Sequence, residues 1–230
     1  MESFLINGNK TKKIRKLLDI KNDTRITSMG IIKFGRFLLW AWKYFILKYI
    51  FERPMILFIS EINKQGHDLV GVEIGVYKGD NAFFILNKLP IKKLFLLDPY
   101  LKHREFENNV GWTKVNQSDF NKHFLQAKKK LKQFEDKITF IRKKSENAVN
   151  QVPNNLDFVY IDGNHEYEFV KRDIELYYPK LKHGGILGGD NFESVFPSVA
   201  RAVLEFTDKY NLKIYGNRSD ASYEWWVIKK

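Results

Sequence analysis

Apolar positions along the chain follow two regimes. Up to about residue 66 they lie at helical spacing or in one long run. Residues 10–18 form a short basic stretch, 23–28 a polar break, and 31–51 a long apolar segment that predicts a helix. Pro54 suits the first turn of a further helix reaching about Lys64, which Gln65-Gly66 ends. Beyond this point short apolar runs alternate with helical spacing. Strands are predicted over 68–74, 93–98, 138–141, 156–161, 186–189, 212–215 and 223–228, and helices over 82–89, 119–134, 167–181 and 198–210. Strands that read as unbroken apolar runs are buried on both faces, so the alternation predicts an α/β domain whose parallel sheet is covered by helices on each side. The last two strands, joined by a short link, predict an antiparallel hairpin at the sheet edge. Two regions follow: an N-terminal helical extension over 1–66 and a catalytic domain over 67–230.

Composition narrows this picture. The 230 residues, 44% hydrophobic and 29% charged, suffice for one α/β domain. With no cysteine, the chain has no disulfide framework, thiolate metal site or cysteine nucleophile, which suits the cytoplasm. A net charge of +12 favours anionic partners, although Lys128, Lys129, Lys130 and Lys132 read as a solvated helix face. The N-terminus does not read as a secretory leader. Residues 34–51 are interrupted by Arg36, Lys43 and Lys48 and so do not read as a membrane span. The exposed apolar face of 31–51 needs a cover. The catalytic domain, a second copy in a homodimer, or the inner membrane surface would serve, the last because Trp40, Trp42, Tyr44 and Tyr49 stand beside lysines.

In open α/β sheets ligands bind at the carboxyl ends of the strands. The residues that close the apolar runs are Glu73 to Gly79, Asp98, Lys144-Ser145, Asp162 to His165, and Asp190-Asn191. Gly75 and Gly79 let a strand turn sharply into a helix whose amides can meet a carboxylate, though a tight turn alone would also use them. Asp98 closes the next strand, where an acid can accept both hydroxyls of a ribose or, alternatively, cap a turn. Asp162, Asp190 and Asn191 offer hard oxygen ligands suited to Mg²⁺, or plain hydrogen bonds at strand ends. His165, three residues past Asp162, is placed to act as a general base at the same rim, or to serve structurally.

Together these residues resemble the class I S-adenosylmethionine-dependent methyltransferases, and among them the cation-dependent O-methyltransferases of the catechol and macrolide-sugar types. Val72 to Gly79 is similar to their first motif, Asp98 to the ribose acid, and Ile138 to Ser145 to the third strand and the serine near adenine. Leu156 to His165, followed by Asp190-Asn191, carries the strongest likeness. The resemblance covers about residues 68–230 and implies a Rossmann-like, mostly parallel seven-stranded sheet. It implies S-adenosylmethionine held by Glu73, Gly75, Tyr77, Gly79, Asp98, Ser145 and Asp162. It also implies Mg²⁺ on Asp162, Asp190 and Asn191, with His165 and Asp162 catalytic. Asp80-Asn81 departs from the pattern, because a hydroxyl residue commonly follows that glycine loop.

The expected activity is methyl transfer to a hydroxyl of a small molecule or sugar, an anionic one fitting the charge. The alternative is a nucleic-acid methyltransferase using the basic surface. Against it, the fourth predicted strand ends Asp-Gly-Asn-His, not in the Asn/Asp-Pro-Pro-aromatic loop that holds a base amine in the families it resembles. A nicotinamide oxidoreductase is disfavoured because the glycines are spaced Gly-x-x-x-Gly rather than Gly-x-Gly-x-x-Gly.

Overall fold

Strand pairing sets the architecture. A computed structural model of the protein describes residues 53–102, 116–192, 197–218 and 223–230. The expected helix over 31–51 and the basic stretch over 10–18 lie outside these residues. Arg53 to Lys230 forms one compact unit. Its strands are β1 (Leu69–Ile74), β2 (Ile91–Leu97), β3 (Ile138–Ile141), β4 (Leu156–Ile161), β5 (Leu181–Gly189), β6 (Tyr215–Arg218) and β7 (Tyr223–Ile228). Its helices are α1 (Pro54–Ile62), α2 (Asp80–Lys88), α3 (Gln117–Lys130), α4 (Ser145–Ala148), α5 (Tyr167–Tyr177) and α6 (Pro197–Tyr210). The seven strands lie in the order β3-β2-β1-β4-β5-β7-β6. The first five are parallel, and β7 runs antiparallel to both β5 and β6. This is the Rossmann-like sheet with an antiparallel edge pair that the apolar runs predict.

Alternate residues of the same strand feed two separate cores. On one face Phe158, Tyr160 and Trp226 pack with Met55 and Ile56 of α1 and Ala82 and Ile85 of α2. On the other, Val159, Ile161, Trp225 and Val227 pack with Val170 and Ile174 of α5 and Val203 of α6. Both faces being apolar explains the unbroken runs in the sequence.

The helix α1, read from sequence as part of the N-terminal extension, is embedded in the first of these cores. Met55 and Ile56 are fully buried, and Gly188 allows the close approach. A Cβ at Gly188 would stand 2.6 Å from the Met55 sulfur and 2.3 Å from the Trp225 carbonyl oxygen. Apolar periodicity identifies such a helix but not the sheet face that receives it.

Several bounds differ from the sequence reading, and one short helix was not predicted. β6 begins at Tyr215, where the predicted strand ends, because Tyr215 pairs with Trp226 and Arg218 with Tyr223. Leu212 and Ile214 instead pack against the second core, which accounts for their apolar character. β5 starts at Leu181 rather than residue 186 and carries an irregularity between the Leu156–Leu181 and Phe158–Ile186 pairs. The short helix α4 has too few residues for periodicity to reveal it.

Candidate active site

The order of the sheet reverses between β1 and β4. From β1 the chain builds outward through β2 and β3, while β4 returns to the other side of β1 and leads to β5. Loops leaving the carboxyl ends of two such strands diverge and leave a crevice. Gly75 lies at its floor with φ +87°, and a Cβ there would stand 1.9 Å from the Asp162 carbonyl oxygen. The end of β1 is tied to both neighbours by backbone bonds, Asp162 N to Ile74 O from the β4 side and Gly75 N to Leu97 O of β2, each 2.8 Å. Tyr77 follows at φ 49°, and Gly79 leads into α2 without offering a side-chain cap. The first turn of α2 therefore begins without a side-chain cap.

Asp98 closes β2 and organises this loop. Its Oδ2 accepts from the amides of Val76 at 3.0 Å and Tyr77 at 2.8 Å, and its Oδ1 from the amide of Tyr100 at 2.7 Å. Charge-assisted bonds of this kind are about twice as strong as neutral ones, so the carboxylate fixes the loop.

Glu73 lies beneath the loop, 1% exposed, and accepts from Asn81 Nδ2 at 3.3 Å. Burial pushes its carboxyl well above the usual range, and the Asn81 bond opposes the shift. Ser145, at the start of α4, donates its hydroxyl to the buried Asp173, and its carbonyl accepts from Tyr177 Oη at 2.8 Å. Burial pushes Asp173 up to about 7, against the pull of the Ser145 bond. The glycine loop, Asp98 and Ser145 follow the carboxyl ends of the adjacent strands β1, β2 and β3.

The second half of the site lies at the ends of β4 and β5. Asp162, His165, Val170, Asp190, Val199 and Trp225 line one small recess. His165 Nε2 stands 3.6 Å from Asp162 Oδ1. Desolvation at the strand end raises Asp162, and Asp190 raises it further, while His165 and Arg53 oppose the shift.

Sequence reading missed four polar residues here: Arg53, Tyr160, Glu224 and the Asp173 already described. Arg53 Nη1 donates to Asp190 Oδ2 at 2.7 Å and to Tyr160 Oη at 3.3 Å, and lies 3.5 Å from Glu224 Oε1. Tyr160 in turn donates to Glu224 Oε1 at 2.5 Å, and Glu224 Oε2 accepts from the Met55 amide at 2.8 Å. The signal available in the sequence was an acid inside the apolar run Tyr223–Ile228, because a fully buried acid is rarely found without a partner.

Asp190 of the expected Mg²⁺ site on Asp162, Asp190 and Asn191 is engaged by this arrangement. Asp190 Oδ2 is taken by the Arg53 guanidinium, and Oδ1 accepts from the Asn191 amide at 2.7 Å. Among the described residues no three His, Cys, Asp or Glu side chains are grouped to hold a metal ion. The positive charge such acids need comes here from an arginine. The residues present therefore do not fit a divalent ion.

Residues 72–192, just over half the chain, match the family model for a methyltransferase domain. The chain belongs to that methyltransferase family. An uncharacterized protein of Acanthamoeba polyphaga mimivirus is 28% identical over 144 residues, a match covering 60% of this chain and 61% of the viral protein. The chain thus spans less than two thirds of the length of that relative. Among solved structures, a Staphylococcus aureus protein assigned as a caffeoyl-CoA O-methyltransferase has a TM-score of 0.56 at 15% identity, covering 96% of this chain and all (100%) of its own. An O-methyltransferase of tomaymycin synthesis from Streptomyces achromogenes, solved with S-adenosylmethionine, scores 0.54 at 10% identity over 79% and 82% of the two chains. An rRNA methylase from Streptococcus thermophilus scores 0.53 at 15% identity over 78% and 98%. These likenesses are of fold. The family model and the shared fold agree, and the acceptor is a question for the site itself. No helix among the described residues of the methyltransferase is long and apolar enough to cross a membrane.

Proposed function

We propose that this methyltransferase methylates a hydroxyl of a small molecule or sugar, with His165 as general base. The observation that carries the reading is the His165–Asp162 pair at the end of β4, facing the glycine loop across the Gly75–Asp162 backbone contact. S-adenosylmethionine, when bound, supplies the methyl group and leaves as the neutral thioether. The loop from Gly75 to Gly79, Asp98 and Ser145 would hold it against the β1 end. His165 takes the proton of the acceptor hydroxyl at the ring nitrogen turned away from Asp162, and Asp162, 3.6 Å from Nε2, steadies the imidazolium that forms. The acceptor oxygen forms the new C–O bond as the C–S bond breaks, and His165 returns its proton to water. The protein's part is to place the two reactants in line and to hold the proton.

The net charge of +12 favours an anionic acceptor and supports a second reading, in which the acceptor is RNA or DNA. One assay separates them. With methyl-labelled cofactor, label is expected in catechols, phenols or sugars and not in mixed RNA or DNA. His165→Ala is expected to lower kcat by about 10²–10⁴ with cofactor affinity unchanged. Label in nucleic acid at low and physiological salt, with none in any small hydroxyl compound, would decide for the second reading.

A further inference from the structure

We infer that Arg53 is the built-in cation of this site, occupying with its guanidinium the place where the acids at the ends of β4, β5 and β7 would otherwise take a divalent metal. The inference concerns the site assigned above and rests on that reading only for its role in methyl transfer.

The charge pattern comes first. Asp162, Asp190 and Glu224 are carried by three different strands that the sheet brings side by side, and Asp190 and Glu224 are buried. Acids this close, withdrawn from water, need a counter-charge. Arg53 supplies it by direct contact with Asp190 and Glu224, and Asp162 adds to the field that keeps it protonated.

Its placement is rigid. The next residue, Pro54, begins α1, and the Met55 amide is held by Glu224 across the sheet. The Arg53 backbone is therefore pinned to the cluster that its side chain neutralises. An arginine on a surface loop would have no such anchor. Both Arg53 and Glu224 fall outside residues 72–192, so this pairing is contributed by segments flanking the family's common domain.

The consequence is chemical. A guanidinium cannot lose its proton in a protein and occupies its position permanently, whereas Mg²⁺ must be recruited and partly dehydrated. The Arg53 guanidinium holds Asp190, which lines the same recess as Asp162. There its field favours the deprotonated acceptor oxygen as His165 removes the proton. The site is thereby closed to divalent ions while retaining the positive charge that methyl transfer to an oxygen uses.

The test is divalent-ion binding by the full-length protein after EDTA treatment and desalting, followed as loss of the free Mn²⁺ paramagnetic signal. The wild type and Arg53→Lys are expected to bind no stoichiometric Mn²⁺. Arg53→Ala is expected to gain affinity by roughly tenfold or more, and Asp190→Asn in that background to remove it. Should Arg53→Ala fail to fold, Arg53→Ala with Glu224→Gln, which discharges the buried acid left behind, carries the same measurement. Stoichiometric Mn²⁺ on the wild type that Asp190→Asn abolishes would overturn the inference, as would folded arginine-free variants that gain none. Calorimetry with S-adenosylmethionine, run in parallel without metal, reports separately on the cofactor reading. Failure there leaves the Mn²⁺ result standing by itself.

Discussion

Asp98 holds the glycine loop by the amides of Val76 and Tyr77 and accepts a third from Tyr100, and under the proposed function it also meets the cofactor ribose. Its replacement by alanine should therefore weaken S-adenosylmethionine binding and lower the melting temperature together. Each effect is expected at about 1–3 kcal/mol, the cost of leaving charged hydrogen bonds unmade. Calorimetry and thermal unfolding on the same preparation check this; lost affinity with unchanged stability would mean the loop keeps its shape without Asp98. Asp173 makes a different prediction, about pH. Burial in the folded protein pushes it up to about 7, well above the ordinary carboxyl value it has in the unfolded chain. An acid raised by folding contributes stability that is complete below the unfolded value and is lost as pH rises through the folded one. Stability should thus fall between about pH 4 and 7, by an amount on the order of a few kcal/mol. Asp173→Asn, which can still accept from Ser145, should flatten that slope; an unaltered pH profile of the melting temperature would refute it.

Among the elements, the turn from β1 into α2 is the most constrained. Gly75 has φ +87° and no room for a Cβ, so Gly75→Ala meets both a left-handed backbone penalty and the Asp162 carbonyl. The backbone penalty alone is about 1–2 kcal/mol. The variant is expected to melt earlier and to bind S-adenosylmethionine poorly, because the β1 and β4 ends must part. A crystal structure or thermal scan showing native packing would contradict this. The same element shows how far sequence could lead. The glycine spacing and the acid closing the next strand marked the crevice, because a turn approached by another backbone needs residues without Cβ. That the intruding atom belongs to Asp162, 87 residues further on, depends on β4 returning beside β1.

At the scale of the whole molecule, Arg53 to Lys230 carries both apolar cores and every site residue named above. Removal of residues 1–48 should therefore leave a cooperatively folding protein that still binds S-adenosylmethionine. Circular dichroism, a single thermal transition and calorimetry test this, and a molten or aggregated product would show that the core needs the removed segment. A cut beyond Arg53, by contrast, should destabilise the chain, because α1 fills one face of the sheet and Arg53 neutralises Asp190 and Glu224.

The sequence by itself determined the elements and the rim. Unbroken apolar runs mark strands buried on both faces, and chemistry-bearing residues stand where those runs stop, since strand ends are where a parallel sheet opens to ligands. Gly75, Gly79, Asp98, Asp162, His165, Asp190 and Asn191 were legible for that reason. Only the tertiary structure decided what the acids do. Whether Asp190 faces a metal or an arginine depends on side chains from α1, β4 and β7 meeting at one point, and neither periodicity nor motif spacing encodes a meeting between residues 53, 160, 190 and 224. Local pattern is written in neighbouring residues. Charge compensation is set by distance in space, and the fold alone brings those four side chains together.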